Sequence, residues 1–134
     1  ASADVHVLVD RDISVSEGHA ISVLVEQRLK QAIDRMTDVT VHIDPEDDES
    51  RAPTKGLPMR TEVLERLDAA WESIPEAVTR KRVLLHYLDG TIAVDVFFPL
   101  RTYTDEPTAR QLRERLLEAL GGDSRFSDVR IYFG

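Results

Sequence analysis

Cysteine is absent from this chain of 134 residues, so neither a disulfide nor a thiolate metal site can form. No apolar stretch approaches the roughly 20 residues that a membrane-spanning helix needs. Glycine-rich phosphate loops, Walker motifs and nucleophile elbows are also missing from the sequence. These absences exclude a disulfide scaffold and a P-loop nucleotide enzyme, and they permit a reducing, cytoplasmic setting.

The negative charge of the chain is concentrated in its first part. Residues 1–50 hold 12 acidic and 4 basic residues, a net charge of −8, whereas residues 51–134 hold 13 of each. The acidic segment should attract cations and repel nucleic acid and anionic membrane surfaces. The acidic run at residues 46–49 is typical of a solvated linker. With 42% hydrophobic residues, the chain is long enough for one ordinary globular domain or two small ones.

The first 45 residues have the pattern of a β-α-β unit. In residues 4–10, valines at positions 5, 7 and 9 alternate with the polar residues Asp4, His6 and Asp10, which predicts a half-buried strand. Ser14 and Glu17 have the spacing of a capping box and predict the start of a helix that runs to about residue 36. Residues 39–44 alternate again and predict a second strand, which the following proline ends.

The rest of the chain predicts a linker and a second unit. Residues 46–57 combine an acidic run with serine, proline and glycine, which is typical of a linker. Residues 58–134 then predict the order α-β-β-α-β. Its elements are a helix at about 58–74, strands at 83–88 and 91–98 joined by the hairpin turn Asp89-Gly90, a helix at about 105–120 and a strand at 128–133. Trp71 lies on the apolar stripe of the first of these helices and is interpreted as a core residue.

The two units are interpreted as repeats of one another. Val5-His6-Val7 aligns with Val94-Asp95-Val96, and residues 38–41 align with residues 128–131, at an offset of 89 or 90 residues. The first copy then lacks a preceding helix and strand. A β-α-β piece of this size buries little core, so we expect it to pack on the second copy, on another chain or on upstream sequence. Residue 1 is therefore expected to be a cut inside a larger protein.

The candidate chemistry lies in the first unit, which contains three of the four histidines. Alternate side chains of a strand point to opposite faces, so His6, His42 and Asp44 should share the face turned away from the helix. His42 and Asp44 would lie about 6.5–7 Å apart along the strand, a separation that one ion can bridge. His19, at the start of the helix, is set apart and would serve a second or bridging site. Neutral imidazole and carboxylate suit zinc and similar ions, although outward histidines on strands are often simple surface residues.

The residues of this first unit resemble the C-terminal cytoplasmic domain of cation diffusion facilitator transporters. The resemblance covers residues 4–45 and rests on a strand histidine, a helix-start histidine after a capping turn and a terminal His-Ile-Asp-Pro, in that order. It implies a metallochaperone-like α-β-β-α-β fold. Together with the repeat, this predicts an α+β fold of two ferredoxin-like, metallochaperone-like units in tandem, the first truncated to β-α-β and the second α-β-β-α-β. The resemblance further implies dimerisation and zinc binding at the dimer interface, with His6, His42 and Asp44 at one site and His19 at a neighbouring one.

By this resemblance the chain is a cytoplasmic regulatory and dimerisation domain of a divalent-metal efflux transporter. It would be a homodimer on the cytoplasmic face of the cell membrane, attached to an upstream transmembrane domain of the same protein. Zinc is the expected metal, with iron, cobalt, nickel and manganese as alternatives; no nucleic acid and no small-molecule substrate are expected. The second copy is interpreted as a structural or dimerising repeat without the metal site. At the positions of His6, His19, His42 and Asp44 it is predicted to carry Asp95, Thr108, Tyr132 and Gly134.

Two further readings stay open at this point. The first is a free-standing metallochaperone or small-molecule-sensing module with a ferredoxin-like fold. The second is an enzyme, which is not expected because no positioned general base and no enclosed cleft accompany the candidate ligands. His86 should face the same side of its hairpin as Asp95, either as a solvated histidine or as part of a small accessory site.

Overall fold

The computed structural model describes residues 1–45 and 56–134. The chain divides into two compact units, Ala1–Arg51 and Ala52–Gly134. The linker predicted at residues 46–57 lies outside the described residues, except for its last two positions. The same holds for the acidic run at residues 46–49.

The first unit is a β-α-β arrangement in which a helix joins two parallel strands. Strand β1 spans Ser2–Val9, helix α1 spans Val15–Ala32 and strand β2 spans Asp38–Pro45. The side chain of Ser14 accepts a hydrogen bond from the Glu17 N–H, so the predicted N-cap is confirmed. The two strands pair in parallel, and the β-α-β order of the first unit is therefore as predicted.

Helix α1 ends four residues earlier than the apolar pattern predicts. Ile33 leaves the helical region at φ −119° and ψ 110°, and Arg35 adopts a left-handed φ of 71°. The backbone N–H and the hydroxyl of Thr37 then both donate to the carbonyl oxygen of Ala1, at 2.9 Å each. These bonds bring the chain back to the start of β1, where β2 must begin if the two strands are to pair along their whole length.

The first unit has little core of its own. Within residues 1–45, Gly18 and Val39 alone are buried. Gly18 lies where α1 crosses the sheet, and a Cβ there would be 3.6 Å from a methyl group of Ile43. Two apolar residues of α1, Val23 and Leu24, remain 38% and 46% exposed. The apolar surface of this unit is therefore only partly covered by its own residues.

The second unit has two α-helices and a three-stranded sheet in its described residues. Helix α2 spans Arg60–Ala70, strand β3 spans Arg82–Leu88, strand β4 spans Thr91–Phe98, helix α3 spans Glu106–Ala119 and strand β5 spans Phe126–Phe133. The sheet order is β3-β4-β5, with β3 antiparallel and β5 parallel to the central strand. The α+β class of the chain is confirmed, and the order of strands and helices is consistent with ferredoxin-like units.

Helix α2 is shorter than the predicted span of 58–74. It ends at Ala70, and Pro75 then begins a short 3₁₀ helix, Pro75–Thr79. Pro75 has no backbone N–H to bond the carbonyl of Trp71 four residues earlier, and its ring would clash with that carbonyl, so the helix cannot continue while the apolar side chains continue into the core. Trp71 is 1% exposed, as predicted for a core residue, and its indole N–H donates to the carbonyl oxygen of Leu116 at 3.0 Å.

The core of the second unit lies between the two helices and one face of the sheet. Its fully buried members come from α2, β4, α3 and β5, and they include Val63, Leu67, Trp71, Ile92, Val94, Val96, Phe98, Leu116 and Val129. Asp105 caps α3 by accepting a hydrogen bond from the Thr108 N–H at 2.8 Å. That bond lowers the pKa of Asp105 below its ordinary value, so the stability it contributes is lost as the pH falls through the lowered pKa.

The hairpin between β3 and β4 has the predicted two-residue turn. Leu88 pairs with Thr91, and both Asp89 and Gly90 have positive φ, 58° and 73°, as a type I′ turn requires. Replacing Gly90 with alanine should therefore lower the free energy of unfolding by about 1 kcal/mol, measured by urea denaturation. Gly122→Ala is the matched control, because Gly122 has open space around its Cβ position and no left-handed φ. Equal effects of the two substitutions would contradict this account of the turn.

Candidate metal centre

The candidate ligands of the first unit lie on one face of its two-stranded sheet. Exposure alternates along β1 and β2, so that His6 and His42 are exposed while their valine neighbours turn toward α1. The parallel register pairs His6 directly with His42. We call the face that carries His6, His42 and Asp44 the first-unit open face. Its composition follows from the alternation of side chains in the two strands.

Three of the four predicted ligands are brought into contact on this face. The His6 ring nitrogen Nδ1 lies 2.8 Å from Oδ2 of Asp44, and these side chains are 57% and 27% exposed. The rings of His6 and His42 stack with their centroids 4.7 Å apart and an interplanar angle of 15°. The sequence thus predicted correctly which side chains share the face.

The donor set suits a divalent metal ion, but its present arrangement is not that of a bound site. Two imidazoles and one carboxylate are ligands that zinc accepts. The lone pairs of stacked rings lie in nearly parallel planes and do not point to one centre. Within residues 1–45 and 56–134, no group of three or more histidine, aspartate or glutamate side chains is arranged to hold a metal ion. Metal binding would need one ring to rotate and the hydrogen bond between His6 and Asp44 to open.

His19 lies away from this cluster. It is in the second turn of α1, the helix that packs against the side of the sheet opposite the first-unit open face. There it lines a concavity of about 400 Å³ at the carboxyl ends of β1 and β2, together with Gly18, Ile43 and other residues. The expected separation of His19 from the other three candidate ligands is therefore present in the structure, and its role as a ligand stays a prediction.

The second unit carries a different cluster on the face of its sheet that the helices leave uncovered. The Arg130 guanidinium donates to both oxygens of Asp95, from Nε to Oδ1 at 2.7 Å and from Nη2 to Oδ2 at 3.0 Å. His86 Nε2 lies 2.9 Å from Oδ2 of the same carboxylate. We call the face that carries His86, Asp95 and Arg130 the second-unit open face. Asp95 is only 8% exposed because the other two side chains cover it.

The strand register corrects the predicted correspondence between the units. In the first unit His6 pairs with His42, and in the second unit Asp95 pairs with Arg130. If Asp95 takes the place of His6, then Arg130 takes the place of His42, and Tyr132 that of Asp44. The alignment of residues 38–41 with 128–131 was shifted by two positions, which left the faces unchanged but matched the wrong partners.

His86 is not the solvated histidine that was the first expectation. Its side chain is 20% exposed and it is hydrogen-bonded to Asp95. Arg130 was missed as a member of this cluster. The signal that could have found it was the alternation of β5, in which Asp128, Arg130 and Tyr132 lie on the opposite side from the buried Val129.

One of the three comparisons with known proteins matches the chain. Residues 1–46 match the family model described as the cytoplasmic domain of cation efflux proteins. The match covers 46 of 134 residues, so it concerns the first unit and does not extend to the second. Residues 1–46 are therefore similar to the cytoplasmic domain of cation efflux proteins, and the resemblance that the sequence indicated is confirmed. No curated protein and no solved structure matches the chain significantly.

The matched family consists of transporter domains and not of enzymes. Among the described residues, no helix has both the length and the apolar character that crossing a membrane requires.

Proposed function

We propose that this chain is a regulatory and dimerisation domain of a divalent-metal efflux transporter, and that its first unit binds the metal ion that regulates transport. The observation that carries the proposal is the contact between His6, His42 and Asp44 within the segment that matches the cation efflux family. His19 is proposed as a ligand of a neighbouring site. Zinc is the expected ion because imidazole and carboxylate are its ordinary ligands, and iron, cobalt, nickel and manganese take the same ligands.

The arrangement of His6, His42 and Asp44 supports a role as a sensor. Asp44 is hydrogen-bonded to His6, and the ring of His42 stacks on the ring of His6. A metal ion would supply the Lewis acid that draws the two imidazoles and the carboxylate together. These three side chains would leave part of the coordination shell to a group from a second copy or from another part of the transporter. Binding would then be coupled to association between subunits.

The charge of the first segment supplies the reason for a response to metal. Residues 1–50 carry a net charge of −8, and two such segments repel each other in a homodimer. A divalent cation reduces that repulsion and shifts the population toward the state in which the two copies are closer. The closer approach of the two copies would then be transmitted to the transmembrane domain that is expected upstream.

Calorimetric titration of the chain with zinc chloride tests the proposed site. The double variant His42→Ala/Asp44→Ala should bind zinc more weakly than the parent by at least the roughly 10–100-fold that loss of an outer-shell partner costs, because it loses two of the three candidate ligands themselves. Asp38→Ala is the matched control, since Asp38 is an exposed carboxylate on the same strand and the same face, four residues from His42. Equal affinity of the double variant and the parent would refute the assignment, and so would an equal loss in the control.

A further inference from the structure

Each open face carries a carboxylate that is bonded to a basic side chain, and the two faces differ in that side chain and in how deeply the carboxylate is covered. On the first-unit open face, the carboxylate of Asp44 has His6 as its partner and is 27% exposed. On the second-unit open face, the carboxylate of Asp95 is 8% exposed and has a guanidinium on both of its oxygens. A carboxylate this deeply covered needs a partner cation, since burial of an unpaired charge is costly. Arg130 meets that requirement within the chain.

The position of Arg130 in the sheet corresponds to that of a candidate metal ligand in the first unit. By strand register Arg130 stands where the first unit has His42, one of its candidate metal ligands. A guanidinium remains charged at all ordinary pH values and offers donors in a planar fork that matches a carboxylate. Asp95 therefore has a cation at every metal concentration. His86 completes the arrangement by bonding to the same oxygen, Oδ2, that accepts from Arg130 Nη2.

We propose that Arg130 is a built-in cation that takes the place of a metal ion in the second unit and closes a latent divalent-metal site at His86 and Asp95. The latent site has one imidazole and one carboxylate, and a third ligand at position 130 would complete it. The second-unit open face would consequently keep one arrangement whether or not metal is present. If the first unit senses metal, which rests on the proposed function, the response is confined to that unit.

Zinc titration of the whole chain, followed by the imidazole NMR signals of His86, tests this proposal. In the parent, zinc should leave these signals unchanged at concentrations that saturate the first unit. In Arg130→His, a third ligand replaces the cation, and His86 should respond at a zinc concentration at least tenfold lower than in the parent. The matched control is Arg82→His. Arg82 lies on the same face of the sheet, but its guanidinium lies over the ring of Phe97, and the residue that pairs with Asp95 on β3 is Leu84. It should leave the response of His86 as in the parent.

The same titration in the His42→Ala/Asp44→Ala background separates this proposal from the proposed function. The response of His86 in Arg130→His should persist there, because it does not depend on the first-unit ligands. The proposal would be overturned if, in the parent, zinc shifted the imidazole signals of His86 at concentrations that saturate the first unit. It would also be overturned if a folded Arg130→His chain showed the same His86 signals as the parent at every zinc concentration. Should that variant fail to fold, Arg130→Gln removes the charge while keeping hydrogen-bond donors. His86 should then respond at lower zinc concentration than in the parent, and the absence of any change would count against the proposal.

Discussion

Replacing Trp71 with alanine should lower the free energy of unfolding of the second unit by about 3–5 kcal/mol. Trp71 is 1% exposed and follows the last residue of α2, so its removal leaves a large cavity between that helix and α3. The substitution also leaves the carbonyl oxygen of Leu116 without its indole donor. An Arg80 guanidinium 5.8 Å from the ring centroid would lose its aromatic neighbour as well.

Urea denaturation followed by circular dichroism measures this effect, because the chain has a single tryptophan and the variant loses its fluorescence signal. Val78→Ala is the control, since Val78 is also apolar but is 80% exposed. It should change the free energy of unfolding by no more than about 0.5 kcal/mol. If Trp71→Ala lowered the free energy of unfolding by less than about 1 kcal/mol, this would contradict the conclusion that Trp71 is a main contributor to the core of the second unit.

Replacing Asp95 with alanine should lower the free energy of unfolding by about 2–3 kcal/mol. Removal of one partner of a buried ion pair leaves the other charge uncompensated, which costs about 3–5 kcal/mol when both are fully buried. Arg130 is 39% exposed and can reach water, so the lower figure of about 2–3 kcal/mol applies. His86, which is 20% exposed, also loses its hydrogen-bond partner.

Chemical denaturation of four chains tests this second prediction. They are the parent, Asp95→Ala, Arg130→Ala and the double variant, which together form a double-mutant cycle. The double variant should be less destabilised than the sum of the two single variants, because it leaves no unpaired charge. Glu106→Ala is the control, since Glu106 and its partner Arg110 are 77% and 62% exposed, and its loss should cost no more than about 1 kcal/mol. Simple additivity would show that Asp95 and Arg130 do not stabilise each other.

Several features followed from local patterns. The capping spacing at Ser14, the Asp89-Gly90 turn and the proline near the start of α3 each depend on a few neighbouring residues, and the structure has all of them. Alternation with a period of two assigned His6 and His42 to the face away from the helix. A strand leaves only two faces for its side chains, so one residue type at alternate positions is enough to decide between them.

The residues at which the helices end were predicted less well from the sequence. Apolar residues continue at helical spacing past the ends of α1 and α2, but the chain leaves the helix at Ile33 and Trp71. In α1 the turn is decided by the need to return to the start of β1, where Thr37 bonds to Ala1. Such contacts between distant residues outweigh the local preference for helix, and they cannot be recognised from the spacing of apolar residues in the sequence.

By itself, the sequence determined the order of the elements, the faces of their side chains and the similarity of the first unit to the cytoplasmic domain of cation efflux proteins. Only the tertiary structure decided the partners across the strands, because a shift of two residues keeps every side chain on its face and changes every neighbour. That register replaced Tyr132 with Arg130 as the counterpart of His42 and placed Arg130 on Asp95. It also set the stacking of His6 on His42, which depends on ring rotation as well as on position.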